Sequence, residues 1–250
     1  MSFVSIEKHD GVATVVLQRG KVNAVNESVV DELAECFASL ANDTETKAVI
    51  FTGHGKFFTF GFDIPEFLNY SPKAFVRYLN KFTGLYASLF LFPKPVIAAL
   101  NGHTMAGGCM MAIACDYRLM VPGKAKISLN EINFGSSLFA GSVEIMKLLI
   151  GQRKAETAVY TGAMYTAEEA MSLGLVDRVV PDADLMSEAM QVARDYAAKD
   201  GAAFKSIKYL LRKSLADDFI RKEKESIREF VDIWYSENTW RNLTSKEIRT

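Results

Sequence analysis

The sequence predicts an α/β fold of stacked ββα units closed by a C-terminal helical region. Short apolar runs alternate with segments of helical periodicity, glycine and proline punctuate the changeovers, and the last third of the chain is almost wholly helical in pattern. At 250 residues, 49% of them apolar and 24% charged, the chain can bury roughly 70–75% of its unfolded surface. Disorder and coiled coil are excluded, and neither disulfides nor a metal are needed to hold a core.

The elements follow in order. Alternation through Phe3, Ser5 and Glu7, then Val12, Val15 and Leu17, around Asp10-Gly11, predicts a hairpin. Asn26 caps a helix in which Val29, Val30, Leu33, Phe37 and Leu40 recur at helical spacing, and KAVIFTG (47–53) reads as a buried strand. Strand, helix, strand implies a parallel pair. Ser71-Pro72 opens a second long helix with Val76, Leu79, Phe82, Tyr86 and Leu89 on one face; Pro93 and Pro95 end it before the strand PVIAALNG. A short small-residue helix from about 106 to 115 precedes a strand from about 116 to 121. Thr166 with Glu169 forms a capping box, and LVDRVV (175–180) is strand-like within the helical remainder. No segment repeats and no Ser/Gly/Pro-rich linker divides the chain, so an α/β core is expected over residues 1–195 and a helical region over 196–250.

Charge and cysteine usage narrow the partners and the compartment. With 29 basic and 30 acidic residues the chain lacks the electrostatic footprint of a duplex-DNA binder. From Lys205 onward 11 Lys/Arg are interleaved with 8 Asp/Glu, the pattern of a solvated helix layer, so no nucleic-acid partner is expected. The three cysteines, Cys36, Cys109 and Cys115, form neither a CxxC pair nor an even set, which points to a reducing compartment. No apolar run reaches the length of a membrane span, the polar, alternating N-terminus lacks a signal-peptide pattern, and a cytoplasmic location is expected.

Three loops combine glycine, small residues and a carboxylate at the end of a strand. In KFFTFGFDIPEF (56–67), Gly61 lets the backbone turn sharply and expose the Phe62 N–H, while Asp63 accepts bonds from neighbouring amides; a plain strand-to-helix turn is the alternative. In NGHTMAGGC (101–109), Gly107 and Gly108 at a helix N-terminus leave amides pointing outward, as an oxyanion site needs; close helix packing explains them equally well. In KISLNEINFG (126–135), Glu131 stands in a largely apolar stretch whose burial would raise its pKa toward that of a general base, unless it lies on a solvated loop. His9, His54 and His103 are too scattered for metal-ligand spacing, no metal site is expected, and Cys109 reads as a packing residue. The phenylalanines Phe57, Phe58, Phe60, Phe62 and Phe67, with Phe134 and Phe139, suit an apolar pocket, for a chain or a ring, or ordinary core.

Taken in order, the NAVN turn (23–26), FTFGFDI (58–64), NGHTMAGGC (101–109), ACDYR (114–118), LNEI (129–132) and TGAMYTAEEAMSLGLVD (161–177) resemble the crotonase superfamily of enoyl-CoA hydratases and isomerases, from about residue 3 to about 240. The resemblance implies a spiral of ββα units and a trimer or dimer of trimers, with the C-terminal helices at subunit contacts. It implies an acyl-CoA thioester substrate, the coenzyme being part of the substrate and no separate cofactor being required. It further implies that the thioester oxygen lies between the amides of Phe62 and Gly107, that backbone around Val22 and Ala24 meets the CoA moiety, and that Thr59, Phe60, Gly61, Asp63 and Ile64 line the thioester end. The basic segment that the family places over the CoA phosphates is not evident in WRNLTSKEIRT.

One departure selects the reaction. Hydratases of the family carry two glutamates, and the first of these positions is Met110 here, whereas the second is Glu131. Two carboxylates hold a water molecule for addition across a double bond; one is enough to move the double bond. The LNE pattern resembles the single-glutamate Δ3-Δ2-enoyl-CoA isomerases, which implies Glu131 as acid and base and Asn130 as a substrate contact. A hydratase or hydrolase reaction on the same thioester, with Asp63 or Asp116 in an unforeseen role, is the alternative, and a non-catalytic CoA- or RNA-binding scaffold a more distant one. Asp116 reads as a buried structural acceptor.

Overall fold

The computed structural model describes residues 2–245. β1 (Val4–His9) and β2 (Val12–Leu17) pair antiparallel from Val4 opposite Leu17 to His9 opposite Val12. Asp10 and Gly11, at φ 50° and 78°, supply the two left-handed residues that a tight hairpin turn needs. Asn26 caps α1 (Glu27–Asn42), its side-chain oxygen accepting from the Val29 amide at 3.1 Å. β3 (Ala48–Gly53) then pairs parallel with β2 and is buried throughout.

From here each unit sends one strand to each of two sheets. β4 (Phe57–Thr59) leaves the main sheet, and a short α2 (Ile64–Phe67) and the long α3 (Pro72–Phe90), capped by Ser71, return the chain to β5 (Val96–Leu100). β6 (His103–Met105) and α4 (Gly107–Ala114) lead to β7 (Tyr117–Met120), and β8 (Ile127–Ser128) runs into a 3-10 turn at Glu131–Phe134. Then follow α5 (Ala140–Ile150), α6 (Gln152–Thr161), α7 (Ala167–Leu173), β9 (Arg178–Val179), α8 (Leu185–Ala197), α9 (Gly201–Trp234) and α10 (Glu237–Ser245). The main sheet has the order β1-β2-β3-β5-β7-β9, parallel beyond the hairpin, and the second sheet the order β4-β6-β8, also parallel. This is the α/β architecture of stacked ββα units expected from the sequence.

Two local expectations are refined. LVDRVV contributes only Arg178–Val179 to the sheet, because the Leu175 and Val176 amides bond back to the Ala170 carbonyl and close α7. Asp116 accepts from the Val96 amide at 2.8 Å and pairs with Lys208 at 2.7 Å and Arg212 at 3.1 Å, tying α9 to the strand ends as a structural acceptor. α9 also packs on α3 and α5, where Glu223 accepts from the Tyr86 hydroxyl and from the Gly141 amide at 2.9 Å. α4 is buried along its whole length between α3 and α5, so its N-terminus is held rigidly. Among the described residues no helix is long and apolar enough to cross a membrane.

Candidate active site

The loop after β4 is shaped by backbone pairing with the segment at Val22–Val25. Phe60 donates to the Val22 carbonyl at 3.0 Å, Val25 to the Gly61 carbonyl at 2.7 Å, and Asp63 to the Val25 carbonyl at 3.3 Å. This parallel bridge uses Gly61 and Asp63, the neighbours of Phe62, and leaves the Phe62 N–H off the ladder. Thr59 locks the turn, donating to the Asn23 carbonyl at 2.6 Å and accepting from the Gly61 amide at 3.0 Å. Asp63 caps α2 through the Glu66 amide at 3.1 Å and pairs with Arg19 at 2.7 Å. Thr59, Gly61 and Asp63 thus scaffold the loop, with buried Val22 and Ala24 beside it, while Phe60, Phe62 and Ile64 line the cleft in front.

Sequence reasoning gave no role to Arg19 or Asn23, yet they organise this loop. Fully buried Asn23, at φ 52°, accepts from the Arg19 amide and donates to the His54 and Phe57 carbonyls, each at 2.9 Å. A left-handed asparagine within NAVN was the available signal.

The second wall is the N-terminus of α4. As the first helical residue, Gly107 has no intrahelical acceptor for its N–H, and no side chain caps the helix. Ala106 before it holds φ 48° and ψ −119°, a strained geometry for a residue with a Cβ, fixed by its amide's bond to the Ser128 carbonyl at 2.9 Å. The two loops touch backbone to backbone. A Cβ on Gly61 would lie 2.7 Å from the Met105 carbonyl oxygen and 3.1 Å from the Gly107 nitrogen, and one on Gly108 2.7 Å from the Thr59 carbonyl oxygen. Glycine at these positions is therefore a requirement of the Phe62–Gly107 approach.

Glu131 arrives from the third unit. Ser128, paired through its carbonyl to Ala106, sets the end of β8 beside the α4 N-terminus, and the 3-10 turn begins three residues later. The turn closes when the Ser136 amide bonds to the Glu131 carbonyl at 3.1 Å. The Glu131 side chain is buried, Oε2 has no hydrogen-bond partner, and burial pushes its pKa up to about 8. Met110, two residues after Gly108, is buried within apolar α4.

These elements enclose an apolar cleft in which, among the described residues, Glu131 is the only ionisable side chain. Among the described residues four buried side-chain atoms lack a partner: Asn130 Oδ1, Glu131 Oε2, Ser136 Oγ and Trp234 Nε1. All four residues line this cleft. Buried polar groups are almost always paired, so this concentration marks a place prepared for something else to bind. Of the suspected phenylalanines, Phe60, Phe62 and Phe134 line the cleft, whereas Phe58, Phe67 and Phe139 are fully buried core. The sequence reading missed Ser136, and it missed Phe230, Trp234 and Leu243, by which the C-terminal helices α9 and α10 close over the chain's own cleft. Cys109 is fully buried, and burial raises its thiol far above the range of a reactive thiolate, as suits packing. The sequence expectation about WRNLTSKEIRT falls partly on residues 246–250, outside the described residues.

A spiral of ββα units, with unclaimed amides at two strand ends and a buried carboxylate at a third, defines the crotonase class of protein. The chain belongs to the enoyl-CoA hydratase/isomerase family, whose family model matches residues 7–245. The mouse mitochondrial enoyl-CoA delta isomerase 1 is 29% identical over 242 residues, covering 96% of this chain and 84% of that protein. The short-chain-enoyl-CoA hydratase of Clostridium acetobutylicum is 31% identical over 217 residues, covering 86% and 83%. The crystal structure of human mitochondrial delta3-delta2-enoyl-CoA isomerase superposes with a TM-score of 0.90 at 27% identity, covering 98% of this chain and 96% of that one.

Proposed function

We propose that the chain is a Δ3-Δ2-enoyl-CoA isomerase. The supporting observation is that Glu131, with an uncommitted oxygen, is the only carboxylate among the described residues that line the cleft, while Met110 lies buried within the apolar helix α4. Glu131 removes a proton from C2 of a 3-enoyl thioester. The C–H electrons form the C1–C2 double bond of a dienolate, conjugated with C3–C4, as negative charge gathers on the thioester oxygen, between the Phe62 and Gly107 amides. Return of the same proton from Glu131 to C4 takes up the C3–C4 electrons, shifts the C1–C2 pair to C2–C3, restores the carbonyl and leaves the 2-enoyl product. No cofactor beyond the substrate's own coenzyme is needed. Each amide contributes about 3–4 kcal/mol where charge develops, and the base a further factor of about 10²–10⁴.

Asn130, beside Glu131 and with its side-chain Oδ1 unpaired, holds the acyl group in register; Val22 and Ala24 meet the CoA moiety, and Thr59, Phe60, Gly61, Asp63 and Ile64 shape the thioester end. The working assembly in this reading is a trimer or a dimer of trimers.

The pH dependence tests the base. Glu131 accepts a proton only when ionised, and its raised pKa keeps it mostly protonated below about 8. kcat/KM, which reports the free enzyme, is expected to rise about tenfold per pH unit and to level off near pH 8. A profile that is flat from about pH 6 to 9 contradicts Glu131 as the base.

A further inference from the structure

We propose that the cleft is built for an acyl group carrying a neutral, hydrogen-bond-accepting oxygen beyond the reacting carbons, such as a hydroxyl, keto or ring-ether oxygen, bound by Trp234 Nε1–H and Ser136 Oγ. The proposal rests on the acyl-CoA reading of the site and specifies the substrate class.

Trp234 ends α9 and is 2% exposed, its ring packed on Phe75 at 4.8 Å and stacked on Phe230 at 6.0 Å. A phenylalanine would fill that place without burying a donor, and an unpaired buried N–H is destabilising. The indole nitrogen can only donate, so it calls for an acceptor. Ser136 is positioned by its amide bond to the Glu131 carbonyl at 3.1 Å, and its hydroxyl is equally without a partner. Both residues line the cleft that holds Glu131.

A plain hydrocarbon tail leaves both groups unpaired against methylenes. A keto oxygen accepts from both, and a hydroxyl accepts from Trp234 and donates to Ser136. A carboxylate tail is disfavoured, because no lysine or arginine is among the described residues that line the cleft and Glu131 already places a negative charge there on ionisation. Asn130 Oδ1, adjacent to the base, belongs with the reacting carbons.

Saturated esters cannot be isomerised, so their binding separates this inference from the isomerase reading. Calorimetry compares hexanoyl-CoA with hexanoyl-CoA bearing a hydroxyl at C5 or C6 or a keto oxygen at C5. At least one oxygenated ester is expected to bind about tenfold more tightly than hexanoyl-CoA. In Trp234→Phe, which keeps the ring stack but loses the donor, the ratio of the two affinities is expected to fall to about one, and in Ser136→Ala to fall part of the way. Equal or weaker binding of every oxygenated ester overturns the proposal and leaves an ordered water as the partner of both groups. A preference that survives unchanged in Trp234→Phe overturns it as well.

Discussion

Glu131→Gln is expected to abolish double-bond migration while leaving acyl-CoA affinity within a few-fold of the parent. Glutamine keeps the size and polarity of the side chain but cannot accept the C2 proton, so kcat is expected to fall by about 10²–10⁴ or more. The substitution leaves the Ser136 amide bond to the residue 131 carbonyl, and with it the turn, intact. Steady-state rates with a 3-enoyl-CoA, paired with calorimetry of a saturated acyl-CoA, check both halves. Retention of full isomerase activity would remove Glu131 from the mechanism.

Gly61→Ala is expected to lower kcat by about 10²–10³, the loss seen when one oxyanion donor is removed from an enzyme. The added methyl group would meet the Met105 carbonyl oxygen at 2.7 Å and the Gly107 nitrogen at 3.1 Å, so the two amide-bearing segments must separate. Position 61 also sits at φ 92°, where any side chain is strained, so stability falls too. Gly55→Ala controls for that strain. Gly55 has φ 79° but open space around its Cβ, so this variant is expected to lose stability with little change in kcat. Thermal unfolding and rates measured on both variants separate strain from damage to the site; an active Gly61→Ala contradicts the paired-amide account.

What the sequence makes legible is local. Asp10-Gly11, Asn26, Ser71-Pro72 and the Thr166–Glu169 box each fix a turn or a helix start through bonds made within a few residues. Gly61, Gly107 and Glu131 stand out because glycine and carboxylate are conspicuous at strand ends. The second sheet is not legible, since β4, β6 and β8 are two or three residues long and exist only through pairing with one another. Composition likewise cannot separate Phe60 and Phe62, which face the cleft, from Phe58 and Phe67 in the core; the turn at Gly61 and the bridge to Val25 decide that. Trp234 and Leu243 reach the cleft from about a hundred residues beyond Glu131 because α9 folds back along α3 and α5, a packing no short motif encodes.

The proposed isomerase reading turns on Met110 occupying the position at which the family resemblance implies that a hydratase carries one of its two carboxylates. Its most direct test is to give one purified preparation a 3-enoyl-CoA and, separately, the 2-enoyl-CoA of the same chain length, and to identify the products. The 3-enoyl ester is expected to be converted to the 2-enoyl ester, and the 2-enoyl ester to remain without appreciable hydration. Rapid formation of a 3-hydroxyacyl-CoA from the 2-enoyl ester, with slow or no conversion of the 3-enoyl ester, would contradict it and identify the chain as a hydratase.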